Sequence, residues 1–292
     1  GYREVVPAQL NTHLVGVAAF PTITEVSRAS LLCGKLTSGG QQQEKAGFAS
    51  HPALLAHCNA SAPPRLFHKG ELSEESNLAE SVRNALANPA QKVLGIVFNA
   101  VDDHLSGPEQ LRQRWQLDDL LLILPILREA RAARRAVLIC ADHGHILNDN
   151  TMQVAGPDST PALIGGDRWV AGGTLAPASS AHALVLRGGR VVAPRATGKH
   201  GDAADGTTNA VPGIPGDKGN NAANGAGEAF AVTCLWSEAA RFGGRKNGYH
   251  GGVAPQEVAV PLALLLPANT RLAGWEDALP PQPEWWDQPL QM

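Results

Sequence analysis

Apolar residues along the chain gather in short runs, each closed by a polar or glycine-rich break. Residues 13–20, 92–98, 136–140, 230–236 and 257–266 are such runs. Their length and β-prone content predict buried strands. Between them the apolar spacing turns helical. It predicts a helix over Glu25–Leu32 that ends at Gly34, and another over Leu72–Leu86 with Ser73-Glu74-Glu75 in its first turn. A third helical stretch covers 117–134, and Pro125 kinks it or starts a new helix there. The order strand 92–98, helix, strand 136–140 predicts a right-handed βαβ crossover with parallel pairing. Ala183–Ala193 predicts a β-hairpin turning at Gly188-Gly189. Pro261 inside the last apolar run implies an edge position or a bulge.

The polar remainder predicts connecting structure. Residues 35–75 are loop-rich and expected over the carboxyl edge of the sheet, with His51, His57 and His68 as ordinary surface or core histidines. Residues 148–177 read as loop broken by Arg168-Trp169-Val170, and 199–228 as a mobile glycine-rich surface loop without chemistry. Trp275 and Trp285-Trp286 read as anchors of a tail that wraps the surface.

A length of 292 residues with 43% hydrophobic content fits one large α/β domain or two modest ones with a sizeable core. A net charge of -3 argues against bulk electrostatic binding to nucleic acid, while leaving room for a nucleic-acid substrate at a small site. Cys33, Cys58, Cys140 and Cys234 form no C-x-x-C pair. Cys140 and Cys234 lie in apolar runs, so buried free thiols in a reducing cytosol are expected. No apolar run is long enough to cross a membrane and no signal peptide is visible, which makes the cytoplasm the expected location. The chain begins with Gly1, which reads as a fragment.

Candidate chemistry sits where the runs end. The 136–140 strand opens into Ala141-Asp142-His143-Gly144-His145. In open α/β sheets the carboxyl edge of the strands is where ligands bind. Asp and His together offer a hard oxygen and a borderline nitrogen, a mixture suited to zinc or a similar divalent ion. Neighbouring side chains on a strand point to opposite faces, so both reach one ion only after the strand breaks, and Gly144 eases that break. The plainer alternative is a polar strand-to-loop junction. The 92–98 strand likewise opens into Asn99-Ala100-Val101-Asp102-Asp103-His104, where an exposed turn is the alternative. Thr22 and Thr24 stand at a helix start. A hydroxyl there is either an N-cap, worth about 1 kcal/mol, or a nucleophile favoured by the helix's positive end. The residues alone favour the cap. His250, flanked by Gly248, Gly251 and Gly252, is free to point into a cleft. Arg128, Arg131, Arg134 and Arg135 suit a helix C-terminus rather than an anion site.

Taken together, the stretch Pro21–Leu32, the Asn99–Asp103 strand end, Asp142-His143-Gly144-His145 and Gly248-Tyr249-His250-Gly251-Gly252 resemble the PglZ family. These are alkaline-phosphatase-superfamily domains of bacterial BREX phage-defence systems. Arg168-Trp169 and Trp285-Trp286 extend the likeness to the type 2 systems. The resemblance covers nearly the whole chain outside the glycine-rich loop. It implies an α/β fold: a mostly parallel central sheet flanked by helices, with a β-hairpin and the 199–228 loop inserted. The chain would be one N-terminally truncated domain over 1–292.

The resemblance also implies roles. Thr24 matches the nucleophile. Asp142 and His143 match ligands of the ion that activates it, and Asp102 and His250 match ligands of a second ion. Asp103, His104, His145 and Arg28 are further candidates. Two departures stand out. In superfamily members with two metals an Asp and a His sit four residues apart, which would put a His at position 106; it is Ser here, so Asp103 or His104 would stand in. The superfamily's first Asp ligand precedes the nucleophile by some tens of residues, yet residues 1–23 contain no aspartate. That ligand then lies upstream of this chain or has been lost. The implied activity is a metal-dependent phosphoesterase, preferring phosphodiesters, with one or two zinc ions or manganese instead. Other BREX defence proteins and a phosphoester, such as nucleic acid or a nucleotide, are the implied partners, without a membrane. The competing reading is a catalytically weak or inactive scaffold of the defence complex. A sulfatase would need a C-x-P-x-R context, which is absent around Thr24, and a mutase would carry a fuller ligand set.

Overall fold

A computed structural model describes residues 1–10, 12–75, 77–105, 120, 122–156, 165–175, 179–194 and 230–278. The chain opens with strands β1 (Tyr2–Pro7) and β2 (Leu14–Val17), then turns at Pro21 into α1 (Thr24–Cys33). Two helices follow, α2 (Gln41–Ala49) and α3 (Pro52–Leu55), ahead of strand β3 (Arg65–Phe67). A small ribbon of β4 (Ser73–Glu74) and β5 (Asn77–Leu78) leads into α4 (Glu80–Ala87) and β6 (Leu94–Ile96). Next come α5 (Ala100–Leu105), α6 (Ile123–Ala132) and β7 (Val137–Cys140). The second half is mostly strand: β8 (Ile146–Leu147), β9 (Met152–Gln153), β10 (Trp169–Ala171), β11 (Ala183–Arg187), β12 (Ala231–Leu235), β13 (Ala240–Arg241) and β14 (Gly248–Tyr249). A short α7 (Pro255–Val258) precedes β15 (Ala259–Pro267) and β16 (Trp275–Asp277).

The spine of the main sheet is β15, nine residues of almost unbroken apolar sequence. One edge takes β1, from Tyr2↔Pro267 to Val5↔Leu264, and then β2, from Leu14↔Leu262 to Val17↔Ala259. The opposite edge takes β7, from Val137↔Leu265 to Cys140↔Leu262. Outside β1 lies β16. Every one of these pairings is antiparallel. The architecture is therefore mixed α/β as expected, but the mostly parallel central sheet is not what forms. Among the described strands, parallel pairing is confined to β3 with β6 and β9 with β13.

The physical reason lies in partner choice. Strand–helix–strand order does not say which of several equally apolar strands become neighbours. The crossover expected to join β6 to β7 instead joins β3 to β6 around α4, pairing Arg65↔Leu94, while β7 goes to the longer β15. Helix α4 seals that unit by burying Val82, Ala85 and Leu86 against Phe67 and Ile126. Pro261 is compatible with the spine because it faces Val15 on one side and lies just before the span that meets β7 on the other.

Other expectations shift as well. The 183–193 hairpin does not form: β11 pairs with β12, whose other side carries β10. Gly188 (φ 62°) and Gly189 (φ 56°) do make a turn, but the arm beyond it bridges Phe20 at Val191. Phe20 N–H donates to the Arg190 carbonyl at 2.9 Å, which pins the approach to α1. Helix α4 starts at Glu80 because Ser73 and Glu74 are drawn into the ribbon. Helix α2 occupies part of the stretch expected to be loop. Pro125 sits in the first turn of α6, where its missing N–H is tolerated. Arg135 does not serve its own helix end: Nε donates to the Leu86 carbonyl at 2.7 Å and Nη2 to Asn88 at 2.9 Å, closing the end of α4.

All four cysteines are free, and Cys33 and Cys234 are buried. Cys140 is exposed, against expectation, because β7 lies at the sheet edge with Leu138 and Ile139 also open. Among the described residues no helix is long and apolar enough to cross a membrane. The 199–228 loop, Ser106 and Trp285-Trp286 lie outside the described residues.

Candidate active site and metal centre

The threonine turn comes first. Neither threonine caps α1: the N-cap is Ile23 in an extended conformation, with no side-chain hydrogen bond. The cap reading fails because the hydroxyls are directed elsewhere. Thr22, fully buried, donates to the Gly252 carbonyl at 2.7 Å and accepts the Gly251 N–H at 3.0 Å. Thr24, the first residue of α1, aims its Oγ1 out of the helix to within 3.4 Å of His143 Nε2.

His143 arrives from the end of β7. The chain breaks there because Gly144 lies against the backbone of Gln256, where a Cβ would overlap the Gln256 carbonyl oxygen. Gly144 N–H donates to the Glu257 carbonyl at 2.9 Å, so close approach is what requires glycine at this position. The chain then enters β8, which pairs with β14 through Ile146↔Tyr249. That pairing sets His145 beside His250. The ring centroids of His143 and His250 are stacked 4.5 Å apart, and His145 lies 5.1 Å from the first and 5.2 Å from the second. Asp102 enters from α5, with Oδ1 2.7 Å from His145 Nε2. One ligand atom from each of Asp102, His143 and His145 lies within 4.8 Å of the others.

The ring tautomers follow from their partners. His250 Nδ1 donates to the Thr22 carbonyl at 3.1 Å and His143 Nδ1 to the Gly144 carbonyl at 3.2 Å, which leaves both Nε2 lone pairs available. Such backbone acceptors are the usual orienting partners of metal-binding imidazoles. Burial pushes the His143 and His250 imidazoles down to about 4, so both are neutral at pH 7, the form that binds cations. Burial alone would raise the Asp102 carboxyl, but the His145 ring beside it and the other two imidazoles bring it down to about 2. Asp142 moves the other way: burial, then the Asp102 charge, raise it, with Arg28 opposing. Its Oδ2 is 3.7 Å from His143 Nε2.

The donor set fits a divalent ion. His145 Nε2 is shielded from solvent and makes no well-aligned hydrogen bond, although Asp102 Oδ1 is 2.7 Å away. A ring nitrogen and a carboxylate oxygen held this close suit shared ligation. A carboxylate with imidazoles is a zinc-type set.

Six of the candidates therefore converge: Thr24, Asp102, Asp142, His143, His145 and His250. Their grouping differs from the two-ion partition, since His145 joins Asp102 and His143 in the tightest set. Arg28 lies one turn after Thr24, with Nε 3.0 Å from Glu44 Oε1 and Nη1 3.1 Å from Asn99 Oδ1. Asp103 and His104 belong to α5, but their side chains lie outside those described. Sequence reasoning missed the orienting role of Thr22, the buried Glu44–His68 contact and the Arg168–Glu257 pair. Only the last left a trace, as an acid opening an apolar run.

No curated protein matches the chain. A family model described as the BREX system PglZ alkaline phosphatase-like domain matches residues 9–265, a span that includes every candidate residue above. The chain belongs to the PglZ family.

Proposed function

We propose that the chain is a metal-dependent phosphoesterase of a BREX phage-defence system, hydrolysing phosphodiesters through Thr24 in company with other BREX proteins. One observation carries the reading: the Thr24 hydroxyl, at the start of a helix, lies 3.4 Å from a nitrogen of an Asp102–His143–His145 donor cluster. That cluster would hold one ion, and Asp142 with His250 would serve a second. A bound zinc ion, or manganese, would supply Lewis acidity and lower the pKa of an oxygen it contacts.

The chain's own residues do the rest. Thr24 Oγ attacks phosphorus, forming a P–O bond as the bond to the leaving alcohol's oxygen breaks. The threonine proton passes through solvent to that oxygen. The N-terminal amides of α1 face the developing negative charge. Water then hydrolyses the phosphothreonine, restoring the hydroxyl and releasing a phosphomonoester. Neutral His143 and His250 add no positive charge that would repel an ion. The free cysteines suit a reducing cytosol.

Turnover of a chromogenic phosphodiester by the zinc-loaded chain and by its Thr24→Ala variant tests this. Loss of at least a hundredfold in the variant is expected, and equal rates overturn the reading. The second reading, an assembly scaffold without turnover, is favoured by one observation: among the described residues only three donors, Asp102, His143 and His145, lie close enough together to hold one ion. A wild-type chain that retains zinc yet shows no turnover would favour it.

A further inference from the structure

Beside the donor cluster lies a second polar assembly that the reaction above leaves unused. Glu44 of α2 is fully buried, and its two oxygens meet different partners. Oε1 accepts from Arg28 Nε at 3.0 Å, and Oε2 lies 2.6 Å from His68 Nε2. His68 is buried as well, and its Nδ1 has no hydrogen-bond partner among the described residues. Arg28 Nη1 donates to Asn99, the residue just ahead of the helix that carries Asp102.

Taking a carboxylate wholly out of water is costly, and a tie between two helices would not need one. What the assembly does fix is the plane of a guanidinium. Arg28 lies four residues after Thr24, on the same face of α1. Two of its three nitrogens are committed, Nη2 has no hydrogen bond among the described residues, and 13% of the side chain stays accessible. Its charge is felt at both Asp142 and His143. A planar cation held through two of its nitrogens, with a donor left over one helical turn from a nucleophile, suits a phosphoryl group.

We propose that Arg28 binds the non-bridging oxygens of the phosphoryl group presented to Thr24, and that Glu44 and His68 are positioning residues acting through it. This rests on the phosphoesterase reading for its substrate, but it is testable without turnover. The probe is tungstate, titrated calorimetrically into the zinc-loaded full chain, with zinc content measured on each sample. Arg28→Ala is expected to weaken tungstate binding about twentyfold with zinc content unchanged. Arg28→Lys, which keeps the charge but not the fork, should recover less than half of the lost binding free energy. Glu44→Gln should weaken binding about fivefold, and so should His68→Gln, which leaves the Glu44–Arg28 pair in place should the first variant fold poorly. Wild-type tungstate affinity in Arg28→Ala overturns the proposal, and so does loss of zinc in that variant, which would assign Arg28 to the ion site. Wild-type affinity in both Glu44→Gln and His68→Gln overturns the positioning role. Absence of turnover in the wild type would count against the enzyme reading alone.

Discussion

Thr22 and His250 stand 228 residues apart, yet the imidazole Nδ1 donates to the Thr22 carbonyl at 3.1 Å. The Thr22 hydroxyl meanwhile binds the two glycines that follow His250. One buried residue thus fixes a ring's tautomer and shapes the loop that carries it. It also stands two residues ahead of the candidate nucleophile. Thr22 is the joint between the first and last segments of the site.

The two threonines should therefore separate cleanly in stability. Thr22→Val keeps the shape but strands the Gly251 N–H and the Gly252 carbonyl, and should cost about 2–4 kcal/mol. Thr24→Ala should cost less than about 0.5 kcal/mol, because that hydroxyl caps nothing. A cap would have been worth about 1 kcal/mol. Urea unfolding of both variants checks this, and equal losses would return Thr24 to a structural role.

Metal binding should be legible without any substrate. Zinc at a hundred times its dissociation constant should add about 2.7 kcal/mol to the unfolding free energy, a gain that chelator removes. Asp102→Asn and His145→Ala should each weaken zinc by tenfold or more in a chelator competition, since both contribute to the tightest donor group. His57→Ala, outside that group, should match wild type. Unchanged affinity in both site variants would remove the cluster from consideration as an ion site.

How much of this could be read from the chain depends on which interactions are local. The α1 turn, its Gly34 stop and the break after β7 are local, so hydroxyl, acid and imidazole positions stood out in sequence. Pairing is not local. Nothing in Val137–Cys140 states that it will meet Leu262–Leu265 rather than Leu94–Ile96, so the parallel expectation failed where two apolar strands competed for neighbours. The Thr24 cap failed for a related reason: the hydroxyl's alternative partner, His143, is 119 residues away. Glu44 is invisible in sequence because the polar stretch around it predicts loop, and its partners Arg28 and His68 come from different segments.

Acid should destabilise the metal-free chain in a defined window. His143 and His250 have folded values of about 4 against an ordinary 6.5. The unfolded chain therefore binds protons first as pH falls, and folding free energy drops with it. The contribution is complete above pH 6.5, declines between 6.5 and about 4, and is exhausted below that. Each imidazole contributes ~3 kcal/mol at most, and their stacking makes the pair worth less than twice that. Asp102, lowered from 3.8 to about 2, continues the decline below pH 3.8. Urea midpoints in chelator at pH 7.5, 6, 5 and 4 should show the slope, and a flat profile would contradict it.

The most severe loss of stability is expected at Arg168 and Glu257. Both are fully buried, and they meet through two contacts of 2.9 Å, Nε to Oε1 and Nη2 to Oε2. Glu257 also accepts the N–H groups of Gly252 and Ala254 at 2.8 and 3.0 Å, which ties the pair to the His250 loop. Arg168 Nη1 donates to the Ser237 carbonyl at 3.0 Å, and further bonds reach Ala240 and Leu235. Removing one partner leaves the other charge buried and uncompensated, so Arg168→Met should cost about 3–5 kcal/mol. Replacing both, as Arg168→Met with Glu257→Leu, should return part of that loss, because no charge is then stranded. It should not restore zinc affinity, because the Gly252 and Ala254 amides still lack the acceptor that shapes the His250 loop. Chemical unfolding and zinc titration of the single and double variants check both halves. Recovery of stability without recovery of zinc binding is the expected pattern, and recovery of both would show that the pair has no part in placing His250.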